Sequence, residues 1–516
     1  ILKTGADEYG NKFPILLRAY DDWRPALYVY LVVPFVGLFG LDVVSVRLPS
    51  VILSMLSVIA VYFLLKELFK GSNFPPKADQ PLVGKLNIPI VTMALLAISP
   101  WHIYVSRLGH EVNASYVFLI FGILFFFRFL NKQKWSLYLS AVFFALSFDS
   151  YQSTKIVVPL IVLVLSILYF KKLLSEKKTA LIAGILGLVI ALPIILSSFD
   201  ENALIRFKGT SLLSTSEKYF ETVQKRLNVE RKEGDTLGRI FDNSKMAALP
   251  LISHAYLSHL DPVWLSINEG GEQFKVPTIG LLYLFELPLI ILGLLFFTRV
   301  GIPSKNVILI IMWGAVAIIP GAITNGYAHP LRVFSILPIP QILAAVGLIT
   351  ILMYSNKYRS LRTFSLIAFS FIPVVFSAVW FFHSYFTLMP RELSKHFQYG
   401  VLNSLAYAAE VDHKYSQVIV SNQDRLFESY MFYLYFHKYD PLKYQKNGGT
   451  VSGGYAERHT IGKYTFVDVN GKLLYRHTLY VLNPSEVEKF RSISKKILKR
   501  IYYRDGKLAF VILETK

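Results

Sequence analysis

The sequence predicts an α-helical polytopic membrane protein that carries a C-terminal extracytoplasmic α/β domain. Three observations predict it. Apolar residues gather into long uninterrupted stretches, basic residues gather in alternate connectors between them, and the pattern changes to short β-rich runs beyond about residue 385. Hydrophobic residues make up 53% of the 516 and charged residues only 17%, against about a quarter charged in soluble domains. Such a chain needs lipid as its solvent.

The stretches come close to the ~20 residues that cross a bilayer core. TALIAGILGLVIALPIILSS (Thr179 to Ser198) and GLLYLFELPLIILGLLFF (Gly280 to Phe297) are examples. Ten spans are expected, near 47–66, 87–105, 113–130, 136–153, 156–170, 180–197, 279–298, 306–323, 333–353 and 362–383. Alternate connectors hold 16 cations, from Lys66, Lys70, Lys77 and Lys85 to Lys357, Arg359 and Arg362. The short connectors on the other side hold Arg107, Lys155 and Arg332, one apiece. Positive charge stays on the cytoplasmic side of a membrane, so the basic connectors are expected in the cytoplasm of a multi-pass protein of the plasma (inner) membrane. Residues 1–46, 198–278 and everything after about 384 then lie outside. The short apolar run 24–40, with Pro34, Gly37 and Gly40, reads as a helix lying in the outer interface.

The domains expected are therefore an outer loop with an interfacial helix (1–46), a transmembrane helical domain (47–385) and an α/β domain (386–516). In the last, SQVIVSN from Ser416, YTFVDV from Tyr464, LYVLN from Leu479 and LAFVILE from Leu508 read as strands. Stretches 397–411, 425–438 and 485–500 read as helices. The net charge of +20 sits largely in connectors that flank lipid, which argues for membrane lipids and against nucleic acid as a partner. Cysteine is absent, so neither disulfides nor thiolate metal sites are available. His102, His110 and His329 lack ligand-like spacing, and no zinc site is proposed.

Ionisable residues at membrane depth are costly and mark function. Here they cluster at the outer ends of spans, as Asp7-Glu8, Asp21-Asp22-Trp23-Arg24-Pro25, Arg107 with Glu111, Tyr151 with Lys155, and His329 with Arg332. The four-residue spacing of Arg107 and Glu111 suits one face of a helix start. Carboxylates act as base or ligand, while Arg and Lys clamp a phosphate and stabilise the charge on it as it leaves. Plainer readings stand beside these: a solvated Asp-Glu pair, a headgroup anchor at Arg24, an Arg107–Glu111 pair, and snorkelling cations at Lys155 and Arg332.

The run TGADEYGNKFP…DDWRPALYVYLVVPFVGLFGLDVVSVRLPSVI resembles the N-terminal region of protein O-mannosyltransferase-like enzymes of the GT-C superfamily, which includes the aminoarabinose transferases of lipid A. SPWHIYVSRLGHE, YLSH at Tyr256 to His259 and HPLRVFSILP at His329 to Pro338 are similar to bacterial members, so the resemblance covers residues 1 to about 385. It implies a sugar transferase that takes a polyprenyl-phosphate-linked sugar as donor and a protein, lipid or glycan as acceptor, at the outer face and with inversion at the anomeric carbon. By the same resemblance Glu111 is the second acid, Arg24 binds the donor phosphate, and Arg332, Lys155 and Arg107 assist. The family's first Asp-Glu directly follows a transmembrane helix, whereas TGADEYG lies further on. Asp7-Glu8 therefore departs from the pattern, and the principal aspartate is expected upstream of Ile1, in a chain truncated at its N-terminus. A divalent cation is left open, because Glu111 either binds one or positions the acceptor. The rival classes are a flippase for lipid-linked glycans, which predicts charges near mid-membrane and paired broken helices, and a glycan-binding scaffold.

Overall fold

The computed structural model describes residues 1–19, 22–70, 87–199, 211–212, 216–268, 274–324, 328–356, 361–451, 454, 456–469, 475–490 and 494–515. Lys77, Lys85, Lys357, Arg359 and Asp21 lie outside them. The chain divides into two compact units, one built from Pro25–Phe35 and Val43–Phe381, the other from Ile1–Arg24, Val36–Asp42 and Phe382–Lys516.

The first unit is helical. Its elements are α1 (Leu27–Phe39), α2 (Val43–Leu68), α3 (Ile88–Ile98), α4 (Pro100–Leu108), α5 (Glu111–Leu130), α6 (Ser136–Phe148), α7 (Thr154–Leu168) and α8 (Lys177–Ser197). They continue with α9 (Glu217–Glu233), α10 (Ser244–Ser258), α11 (Glu286–Phe296), α12 (Ser304–Ala322), α13 (Ile339–Asn356) and α14 (Leu361–His383). One continuous apolar core joins α2, α3, α5, α7, α12 and α13. The most apolar stretch of α5 is 83% buried and that of α8 only 17%, so α5 is a central helix and α8 faces lipid.

Helices in lipid gain no hydrophobic drive from meeting one another and associate through close packing and shared hydrogen bonds. Both devices occur here. A Cβ on Gly293 of α11 would lie 1.9 Å from the Leu343 carbonyl oxygen, and one on Gly347 of α13 would lie 2.1 Å from that of Leu289, so only glycine permits this approach. Asn113 of α5 donates to the Ser50 carbonyl at 2.8 Å, His102 Nε2 meets Ser57 Oγ at 3.1 Å, and Asn306 donates to the Leu68 carbonyl at 2.6 Å.

Among the described residues six helices are long and apolar enough to cross a membrane, or seven when α3 and α4 count as one bent span, where ten spans are expected from the sequence. The difference has local causes. The α3–α4 pair bends by 56° at Ser99-Pro100, because Pro100 offers no N–H to continue the helix and Ser99 Oγ accepts the His102 N–H to start a new one. α6, α7 and α11 run 13, 15 and 11 residues, below the ~20 needed. α1, with 13 residues, is likewise too short to cross.

The second unit holds a two-stranded sheet, β1 (Leu16–Ala19) with β2 (Asp22–Pro25), and a six-stranded sheet. The strands of the latter are β3 (Gln417–Ser421), β4 (His459–Ile461), β5 (Tyr464–Val467), β6 (Thr478–Leu482), β7 (Lys495–Tyr502) and β8 (Leu508–Thr515), in the order β4-β5-β3-β6-β8-β7. β3 runs parallel to β5 and β6, and the remaining pairs are antiparallel. Both faces are covered. Val418, Val420, Leu479 and Val481 pack with α15 (Val401–Val411) and with Tyr430 of α16 (Ser429–Phe436), while Ile419, Tyr480, Leu482 and Leu513 pack with Phe490. The four runs read as strands are strands. The helix expected over 485–500 is instead a short 3-10 turn (Pro484–Phe490) followed by β7. Its lysines suit the open edge of a sheet, where charge deters further pairing, and a bulge between Ile497 and Lys499 breaks the period-2 pattern.

Candidate active site

The site is built from the ends of helices in the helical unit. Gly109, at φ +67°, ends α4, and His110 caps α5 by accepting the Val112 N–H at 3.2 Å. Arg107 therefore closes one helix and Glu111 opens the next. The shared helical face expected from their spacing does not form, because the left-handed Gly109 breaks the helix between them. A Cβ on Gly109 would press on Arg47 Cγ at 3.2 Å. Glu111 Oε2 stands 3.2 Å from His110 Nδ1, and that nitrogen either accepts from Val112 or, when protonated, donates to the carboxylate. A carboxylate in the first turn suits the helix dipole.

Around this turn the fold gathers further polar groups. The rings of His110 and Tyr151 meet edge to face at 5.7 Å. Glu111 and Arg47 both exert their charge on the Tyr28 hydroxyl, which donates to the Val46 carbonyl at 3.0 Å. Half-buried Arg332 donates to the Thr324 carbonyl at 3.3 Å. His329 is held in its neutral form by burial first, then by the charge of Arg332 and the neighbouring His259 and His110 rings, which bring its pKa down to about 4. Lys155 lies in the first turn of α7, where a cation opposes the helix dipole. It donates to Ser198 Oγ at 3.1 Å and feels the charge of Asp149.

His259 seats this arrangement. Its Nε2 accepts the His329 backbone N–H at 3.2 Å, and a Cβ on Gly321 would come within 2.4 Å of that same nitrogen. Gly321→Ala is expected to displace His259, loosen the 328–332 turn and destabilise the folded chain by about 1–3 kcal/mol. Thermal unfolding of the variant in detergent checks it, and an unchanged melting temperature would show that His259 does not set the turn.

Asp7, Glu8 and Arg24 belong to the other unit. Asp7 is buried, and both its oxygens are engaged in its own loop. Oδ1 accepts the N–H groups of Tyr9 at 2.9 Å and Asn11 at 2.8 Å, and Oδ2 accepts from Asn11 Nδ2 at 3.0 Å. Glu8 accepts from Thr450 Oγ1 at 2.9 Å, beside Tyr444, which shares Thr450, and the His459–Glu457 pair at 2.9 Å. Burial raises the Glu8 carboxyl pKa against the opposing Thr450 bond, and the nearby charges of Asp7 and Glu457 add to the rise. A carboxyl raised on folding favours the folded state below its unfolded pKa, and that benefit is lost as pH rises through the folded value. Wild type is thus expected to gain thermal stability from pH 8 to pH 5 by more than Glu8→Gln does, and equal gains would contradict the burial argument. Arg24 sits in β2, directly before Pro25.

Arg47, His110, His259 and Tyr28 were not singled out as site residues from sequence. The left-handed Gly109 and the SVRLPS phrase are the signals that point to the first two; His259 lies in the YLSH segment, but its part in the site shows only through a contact 70 residues away. Among the described residues no three His, Asp or Glu side chains come together to hold a metal ion. What these described residues offer is the Glu111 carboxylate with His110 beside it, and the neutral His329 near Arg332, groups suited to deprotonating a hydroxyl and holding an anionic leaving group.

The sequence pattern of the family described as dolichyl-phosphate-mannose-protein mannosyltransferase matches residues 83–196, a stretch that carries Arg107, Glu111 and Lys155. No curated protein matches the chain at a significant level. Among solved structures, ArnT from Cupriavidus metallidurans bound to undecaprenyl phosphate is similar with a TM-score of 0.51 at 11% identity, over 96% of this chain and 90% of that one. Its apo form gives 0.50 at 12%, over 96% and 88%. An Archaeoglobus fulgidus oligosaccharyltransferase tethered with an acceptor peptide gives 0.42 at 12%, over 94% and 65%. The chain thus shares the fold of the ArnT structures, has several helices long and apolar enough to cross a membrane, and matches this family's pattern over residues 83–196.

Proposed function

We propose that the helical unit moves a sugar from a polyprenyl-phosphate donor to an acceptor hydroxyl at the outer face of the plasma membrane, with the α/β domain on that same side. The observation that carries the reading is the turn at His110, which stands 3.2 Å from the Glu111 carboxylate, meets the Tyr151 ring and acts electrostatically on His329, as Arg332 also does. The description of the matched family and the undecaprenyl phosphate bound to ArnT support a lipid-phosphate donor. The acceptor oxygen attacks the sugar C1 and the C1–O bond to phosphate breaks. Glu111 takes the hydroxyl proton, and the cations stabilise the departing phosphate.

Arg24 is proposed as a further phosphate ligand on the resemblance of its Arg-Pro motif. For Asp7 we favour bracing of its own loop over catalysis, since both oxygens already accept hydrogen bonds, and Glu8 is likewise engaged by Thr450. The test is sugar transfer by the purified natural full-length chain in liposomes supplied with polyprenyl-phosphate sugars. Lipid-dependent transfer is the expected result. No transfer from any such donor, with wild type and Glu111→Ala alike, would defeat the reading.

A further inference from the structure

His329 is held by hydrogen bonds that decide which of its nitrogens carries hydrogen. Its Nδ1 accepts the Leu331 backbone N–H at 3.3 Å, so in the neutral ring the hydrogen resides on Nε2. Its backbone N–H donates to His259 Nε2 at 3.2 Å. His259 Nδ1 lies 2.7 Å from the Ala255 carbonyl oxygen, where only an N–H can bond, and this fixes His259 as a neutral ring of the complementary tautomer. Two imidazoles thus set one another in sequence. Among the described residues His329 Nε2 meets no hydrogen-bond partner, and its half-buried ring rests against Phe274 at 5.5 Å.

We infer that His329 is a neutral N–H donor, oriented before substrate arrives, which shares with Arg332 the oxygens of the lipid phosphate; the inference rests on the donor proposed above. A charged His329 would have to be desolvated beside the fixed charge of Arg332. A neutral donor avoids that repulsion and still offers a hydrogen bond to an anion, the stronger kind of bond. Arg332 supplies the charge and His329 the direction.

The experiment measures binding of undecaprenyl phosphate to the natural full-length chain in detergent, for wild type, Arg332→Gln, His329→Leu and His329→Gln. Gln reproduces the Nε2 donor. Affinity is expected to fall about tenfold or more in His329→Leu, the loss of one hydrogen bond to a charged group, and to stay within about threefold in His329→Gln. The ratio of wild-type to His329→Gln affinity is expected to be flat from pH 8 to pH 5.5, since neither donor titrates there. Wild-type binding that is weakened by Arg332→Gln but untouched by His329→Leu would overturn this inference and spare the proposed donor. A wild type that binds no undecaprenyl phosphate would overturn both. A ratio that climbs as pH falls through about 6.5 would show a titrating imidazolium and overturn the neutral role, even if His329→Leu fails to fold.

Discussion

Replacing Glu111 by Gln lowers the rate of sugar transfer by about 10²–10⁴-fold, the usual contribution of a positioned general base, and leaves donor affinity within a few fold. The alternative role of this carboxylate is structural, as an acid in the first turn of α5, and such a group contributes only about 0.3–1 kcal/mol to stability. The two roles therefore separate by magnitude and by observable. Steady-state transfer measured alongside thermal unfolding decides between them. A variant with near-normal turnover and a slightly lower melting temperature would make Glu111 a helix-terminal acid and nothing more. Because Gln keeps the shape and the capacity to accept one hydrogen bond, the loss reads the proton acceptor rather than packing.

The second large effect is on folding. Gly293→Ala places a methyl group 1.9 Å from the Leu343 carbonyl oxygen, and Gly347→Ala places one 2.1 Å from that of Leu289. Neither clash can be relieved by a side-chain rotation, because the obstructing atom is backbone. α11 and α13 must move apart, and overpacking of that kind costs about 1–3 kcal/mol or more. Either substitution is expected to lower the monodisperse yield sharply and to depress the melting temperature in detergent. Gly184→Ala is the control, since nothing lies within 4 Å of a Cβ there and alanine favours helix. Equal behaviour of Gly293→Ala and Gly184→Ala in size-exclusion chromatography would refute the packing described here.

Much of this architecture is legible in the sequence because lipid imposes it. Long apolar stretches such as 180–197 have no other economical structure, and α8 spans Lys177–Ser197. The strands at Gln417, Tyr464, Thr478 and Leu508 are equally readable, being β-branched and aromatic runs of strand length. Where the sequence misleads, long-range contact overrides local period. KKILKRIY becomes β7 only because β8 is there to pair with it. Arg107 and Glu111 are both visible as unusual residues in a short connector, yet their i, i+4 spacing says nothing of the left-handed Gly109 between them. His259 and Gly321 fit together across more than 60 residues, so no window of sequence reveals that one needs the other to lack a side chain.

The turn that carries Arg332 is gripped from both sides by buried tryptophans. The Trp101 indole N–H donates to the Pro330 carbonyl at 3.2 Å, and that of Trp313 to the Ser335 carbonyl at 2.8 Å. The guanidinium is therefore mounted on a stretch of main chain with little freedom left to surrender. For the anion proposed to bind Arg332, the arginine side chain is the part left to come to rest, at about 0.5–1.5 kcal/mol. Loosening either indole would tax affinity through backbone entropy without touching a single charged group.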